Sequence, residues 1–244
     1  MFPISDDNPS NLTPFVTWSL IGACALVFLV QFSMSQQEAQ AAIYSFGMIP
    51  ARVFDKAELR PELAVVPAWA TVITSMFMHA GLLHLAGNML FLWIFGDNVE
   101  DAMGHVRFLV FYIACGVAAA MTQGLLSPDS TVPMVGASGA ISGVLGAYLL
   151  LYPQATVRVL VFFGFFVTVV HVPAILALGL WFLGQLLNAA SQPVDQPGVA
   201  FWAHIGGFVA GMVLVPMFKR PGTPLLQPRH SRPFDVERRR GPWG

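Results

Sequence analysis

Uninterrupted apolar runs constrain this chain more than any other feature. Phe15–Met34, Leu82–Val99, Phe108–Leu126, Val157–Leu187 and Val199–Phe218 each reach the roughly 17–25 residues that a helix needs to cross a bilayer. A shorter run, Ser138–Tyr152, lies between the third and fourth of them. Apolar residues make up 56% of the 244 and charged residues only 10%, a balance hard to reconcile with a soluble domain of this size. The expectation is an all-α membrane protein with six transmembrane helices, the fourth of them short and central.

The flanking segments fix a provisional topology. No basic residue precedes the first run and no small-residue cleavage site follows it at Gln36-Gln37-Glu38, so it is expected to remain as a helix. Arg107, Arg158, Lys219, Arg220, Arg229, Arg232, Arg238, Arg239 and Arg240 fall on one side of the alternating spans, against Arg52, Lys56 and Arg60 on the other. By the positive-inside rule both termini are cytoplasmic. Residues 1–14 then form a cytoplasmic tail, 15–219 the membrane domain, and the proline-rich 220–244 a disordered cytoplasmic tail. The long first loop, Ser35 to about Gly81, carries Trp69 and mixed charges and is expected to be structured and partly interfacial. A net charge of −1 suggests no nucleic-acid partner, and Cys24 and Cys115, without metal-like spacing, read as packing residues.

The stretch Pro133–Pro153, "PMVGASGAISGVLGAYLLLYP", carries the chemistry. From Ser138 to Pro153 a helix covers about 15 residues at about 1.5 Å each, roughly 22 Å, short of the ~30 Å hydrocarbon core. Arg158 marks the cytoplasmic surface just beyond Pro153, so the shortfall lies at Ser138, below the outer surface. Non-helical backbone at that depth, Pro133 to Ala137, requires cover by protein or a watery cavity. Ser138, Gly139, Ser142, Gly143 and Gly146 share one small-residue stripe, and His204, Gly207 and Gly211 share another on the last span. If the stripes meet, Ser138 and His204 come together at one depth. On the glycines alone, ordinary membrane packing explains both faces. Polar groups inside membrane segments point to function, however, and His84 and Asn88, spaced i, i+4 on the second span, add two uncharged donors on one face. A nucleophile, a base and an oxyanion site fit this set. His79, one turn further out, reads as structural, and the lone His171 as a packing residue.

Gly136-Ala137-Ser138-Gly139 opening the short fourth helix, Ala203-His204-Ile205-Gly206-Gly207 with Gly211 on the sixth, and His84-x-x-x-Asn88 on the second resemble the rhomboid intramembrane serine proteases. The resemblance spans about Phe15 to Phe218 and implies a six-helix rhomboid bundle. It also implies a Ser-His dyad that cleaves transmembrane segments of other proteins in a water-filled cavity open to the outer side. In this resemblance Ser138 is the nucleophile and His204 the general base; His84, Asn88 and the Ser138 backbone N–H are oxyanion donors. Glu100 matches a position that holds helix ends together, and the fifth helix is the lateral gate, where Pro173 would kink the long fifth run. The implied partners are single-pass transmembrane substrates and membrane lipid. No metal or other cofactor is expected.

Two positions depart from the family pattern. Ser142 stands where many members carry an aromatic residue that stacks on the base, so something else must orient His204. Arg52-Val53-Phe54 and Trp69 replace the common Trp-Arg pair of the first loop. Within the spans only Asp97, Glu100 and Asp101 are carboxylates, all at the cytoplasmic end, so the base has no acidic partner. Among rival readings, a Gly-x-Ser-x-Gly hydrolase fails because residue 140 is Ala, and a zinc protease because His-Glu-x-x-His is absent. A small transporter would show paired half-helices in two matching halves, which this chain lacks, and a non-proteolytic rhomboid-like factor that binds membrane proteins would have lost Ser138 or His204. The acidic N-terminus disfavours a mitochondrial presequence, leaving a bacterial inner membrane as the expected location.

Overall fold

Backbone amides in hydrocarbon must find partners within their own segment, so the apolar runs become helices. In the computed structural model, which describes residues 2–228 apart from 164, 165, 195 and 197, a strand β1 (Phe2–Asp6) precedes helix α1 (Phe15–Ser33). The first loop folds into α2 (Gln36–Phe46), α3 (Pro50–Val53) and α4 (Ala68–Thr74), with 3-10 turns at Pro61–Leu63 and Ser75–Phe77. Ser35 and Glu38 cap α2 reciprocally, each accepting a hydrogen bond from the other's backbone N–H. Helices α5 (Leu82–Met103) and α6 (His105–Leu126) are joined by Gly104 alone, whose φ of +82° would strain any side chain and where a Cβ would press on the Arg220 guanidinium. Helix α7 (Ser138–Leu151), strands β2 (Thr156–Phe163) and β3 (Phe166–Pro173), and helices α8 (Ala174–Ser191) and α9 (Phe201–Phe218) complete the chain.

Among the described residues, five helices (α1, α5, α6, α8 and α9) are long and apolar enough to cross a membrane, and the 14-residue α7 is too short, as expected of the fourth run. Helix α7 is the centre of the bundle. Every residue from Ala140 to Tyr148 is buried, which suits its lack of any polar face. Helices α1 and α8 lie outside, with Leu26, Leu29, Phe32, Leu176, Leu180, Leu183 and Leu187 exposed as lipid-facing surface.

The two glycine stripes do meet. A Cβ on Gly207 would run into the Gly139 carbonyl, one on Gly211 into the Gly143 backbone, and one on Gly146 into the Phe208 carbonyl. Glycine here lets the α7 and α9 backbones touch. Cys115 packs against the same seam from α6, and both cysteines are free and fully buried, in keeping with a packing role.

One end of the bundle is pinned by Glu100. Its buried carboxylate accepts from Val16 N (2.9 Å), Thr17 N (2.8 Å), Thr17 Oγ1 (2.7 Å) and His105 Nδ1 (2.5 Å), joining the ends of α1, α5 and α6. The family resemblance expected this role of Glu100.

Three expectations need correction. The run Val157–Leu187 is not one helix: residues through Pro173 form an antiparallel hairpin, with Arg158 opposite His171 and Phe162 opposite Val167, and Pro173 precedes α8 as its N-cap rather than kinking it. Valine-rich, β-branched sequence without a charge from Val159 to Val170 reads as a span by hydropathy but is strand-forming by shape. Second, the all-α expectation omitted a three-stranded sheet, because β1 pairs with β2 (Phe2 opposite Leu160) and the first residues are a strand rather than a tail. Third, residues 220–228 are not a loose tail: Arg220 N donates to Ala102 O, Leu226 N to Leu150 O and Gln227 N to Leu151 O, closing over the ends of α5 and α7. The rest of that tail, 229–244, lies outside the described residues.

Candidate active site

Ser138 is the first residue of α7, delivered by a loop that the first-loop region holds in place. Met134 pairs with Met48 as an isolated antiparallel bridge, and Gly136 N donates to Ser75 O at 2.9 Å. Met134 and Gly136 thus find backbone partners in protein, as expected of non-helical backbone in a membrane segment. Gly136 has φ +131°, and a Cβ there would strike the His84 ring, so only glycine fits in the loop beside that ring.

His204 enters from the first turn of α9. Its Nε2 lies 2.8 Å from Ser138 Oγ. Its Nδ1 lies 2.8 Å from Gln185 Oε1 on α8. An amide oxygen only accepts, so the ring proton sits on Nδ1 and the Nε2 lone pair receives the Ser138 hydroxyl. The Trp181 ring faces His204 from one turn earlier on α8, with centroids 5.9 Å apart and planes at 32°. Trp181 and Gln185 occupy the i, i+4 positions of one helix face, and the sequence reading missed both. Gln185 is one polar residue in an apolar run, and no local pattern ties it to His204. Ser142 offers His204 nothing: its hydroxyl donates back to Ser138 O at 2.7 Å.

The two expected oxyanion donors converge on the other side of Ser138. Ala80 N–H donates to His84 Nδ1 at 3.4 Å, which leaves the His84 proton on Nε2, on the edge of the ring that faces Gly136. Asn88 is buried, and its Nδ2 has no partner while lying toward the same glycine. A buried donor without an acceptor is costly unless something else supplies one. His79 is buried; its backbone pairs with the Gln31 side chain and its ring lies edge-on to His84, 5.1 Å between centroids. His171 sits on the outward face of the hairpin opposite Arg158, far along the chain from these groups.

Ser138, His204, His84 and Asn88 line one cavity of about 1110 Å³, bounded also by Gln36 and Gln40 of α2. Among the described residues no cluster of His, Cys, Asp and Glu could hold a metal ion. A hydroxyl bonded to a neutral imidazole, with two N–H donors nearby, is a set of groups able to perform acyl transfer.

Comparison with known proteins identifies the family. A family model described as a Rhomboid domain matches residues 67–221, more than half of the chain and the whole stretch from α4 to α9. Rhomboid protease GluP of Bacillus subtilis (strain 168) is 37% identical over 143 residues, 59% of this chain and 25% of that protein. Rhomboid-like protein 11, chloroplastic, of Arabidopsis thaliana is 30% identical over 159 residues, 61% of this chain and 52% of that protein. Inactive rhomboid protein 1 of Drosophila melanogaster is 39% identical over 80 residues, 33% of this chain and 6% of that protein. The chain thus spans a quarter to about half of the length of the first two relatives. Because the matched region contains the short buried helix, both glycine stripes, and Ser138, His204, His84 and Asn88, the chain is an integral membrane protein that belongs to the rhomboid family.

Proposed function

We propose that this chain is an intramembrane serine endopeptidase that cleaves transmembrane segments of other membrane proteins through a Ser138–His204 dyad. The observation that carries the reading is the 2.8 Å contact between His204 Nε2 and Ser138 Oγ, made across two helices whose backbones touch. Ser138 Oγ attacks the scissile carbonyl as its proton passes to Nε2; Nε2 then returns that proton to the leaving amine, and the acyl-enzyme is released by a water activated at the same nitrogen. Asn88 Nδ2, His84 Nε2 and the Ser138 backbone N–H stabilise the negative charge on the tetrahedral oxygen. No carboxylate is needed, because the Nδ1–H is taken by the neutral Gln185 amide.

The substrates in this reading are single-pass transmembrane proteins, admitted from lipid beside α8. The protein lies in a bacterial inner membrane with both termini cytoplasmic and the cavity toward the outer side. Supporting that orientation, Arg107, Arg158, Lys219 and Arg220 all fall at the end of the bundle where the N-terminal strand docks. A second reading, a non-proteolytic factor that binds membrane proteins, is favoured by the likeness to an inactive relative.

A fluorophosphonate probe on the purified protein separates the two. The protease reading expects labelling at Ser138 and cleavage of a transmembrane substrate in proteoliposomes, with both lost in Ser138→Ala and His204→Ala. A Ser138→Ala protein that still cuts at the wild-type rate sinks the dyad; a wild-type protein that neither labels nor cuts supports the binding factor.

A further inference from the structure

In the proposed mechanism His204 Nε2 receives a proton and hands it on, so its competence depends on which ring nitrogen carries the hydrogen in the resting site. The alternative tautomer would set the Nδ1 lone pair against the Gln185 oxygen and leave the Ser138 hydroxyl facing an N–H. Only one arrangement satisfies both 2.8 Å contacts. The contact comes from α8, a helix otherwise turned to lipid. It is reinforced at the same level: Trp181 covers the His204 ring, and one turn along α9 Phe182 stacks on Phe208 with centroids 4.4 Å apart and planes at 19°. Helix α7, which has Ser142 rather than an aromatic residue facing this region, supplies no such cover.

We propose that Gln185 is a positioning residue for the base: its amide oxygen holds His204 in the Nδ1–H tautomer, with Trp181 fixing the ring plane, so that the base is competent only while α8 lies against α9. This rests on the proteolytic reading above. It gives α8 a second duty beside lining the path of the substrate, because displacing the helix at Trp181–Gln185 strips the base of its partner. Open and reactive forms of the site are then different states.

The test compares Gln185→Leu with Gln185→Glu, measuring kcat, KM and the pH dependence of kcat for a transmembrane substrate in proteoliposomes. Gln185→Leu keeps bulk but removes the acceptor; kcat should fall about 10- to 100-fold, the usual effect of losing a hydrogen-bonded group that orients a functional imidazole, with KM unchanged. Gln185→Glu keeps an acceptor and should restore kcat toward wild type. Its carboxylate favours the imidazolium, so the acid limb of the kcat profile should move to higher pH. A packing role for Gln185 would not move that limb. Wild-type kcat in Gln185→Leu, or equal losses in both variants with an unshifted profile, overturns the proposal. Should Gln185→Leu fail to fold, the profile of Gln185→Glu decides alone. Failure here with an inert Ser138→Ala removes only the role of Gln185, whereas cleavage by Ser138→Ala removes the proteolytic reading itself.

Discussion

At the scale of single residues, the site is built from neutral groups whose protons are assigned by their partners. Backbone N–H of Ala80 fixes one imidazole and the Gln185 amide the other, in opposite senses: His84 is left as a donor toward the Gly136 loop and His204 as an acceptor from Ser138. Asn88 Nδ2, buried and unpartnered, is the donor with most to gain from an oxyanion. Losing one preorganised donor typically costs about 10²–10³ in turnover, so Asn88→Ala should lower kcat by about that factor while KM stays near wild type, and His84→Ala should act in the same direction. Steady-state cleavage assays in proteoliposomes check this, and full activity in both variants would reduce the pair to packing residues. His84 and Asn88 were legible in the sequence because a polar pair at helical spacing stands out in an apolar run. Gln185 was not, because its importance exists only through contact with a residue 19 positions away.

At the scale of elements, the seam between α7 and α9 decides the distance from Ser138 to His204. Gly211 is pressed against the Gly143 backbone, whereas Gly22 on α1 has open space around it. The two positions therefore separate packing from helix propensity. Gly211→Ala should destabilise the protein by about 1–3 kcal/mol through overpacking, and should slow cleavage as the helices part. Gly22→Ala should be neutral or slightly stabilising, since alanine is the better helix former by about 1 kcal/mol. Thermal unfolding in detergent reads both; identical melting of the two variants would contradict the close approach. The hairpin β2–β3 illustrates the opposite situation. Its length and hydropathy satisfied the criterion for a span, yet pairing with β1 and the start of α8 at Ala174 make it a sheet.

At the scale of the whole molecule, chain ends are used to close the face of the bundle opposite the cavity. Strand β1 adds to the hairpin, and Asp6 accepts a hydrogen bond from the Tyr148 hydroxyl near the end of α7. Burial raises the Asp6 carboxyl from its ordinary 3.8 to about 7, against the lowering effect of that hydrogen bond and with help from Asp97 and Asp7 nearby. A raised folded-state value means that docking of the strand is favoured fully below 3.8, where Asp6 is neutral whether docked or free, and is lost as pH rises through about 7. Hydrogen exchange of the β1–β2 amides, corrected for intrinsic rates, should accelerate across that interval, and Asp6→Asn should flatten the dependence. An Asp6→Asn protein with the wild-type pH response would remove Asp6 as its origin.

The sequence by itself determined that the chain lives in a membrane, that one span is too short to cross it, and which serine, histidines and asparagine are candidates for chemistry. Those conclusions rest on local quantities: run length, residue size and helical spacing. Only the tertiary structure decided that β2 and β3 pair as strands with Phe2–Asp6, that 220–228 fold back over the helix ends, and that a glutamine and a tryptophan of α8 contact His204. Each of these depends on partners distant in sequence, and neither hydropathy nor periodicity encodes which partner an unsatisfied backbone edge or a buried imidazole will find.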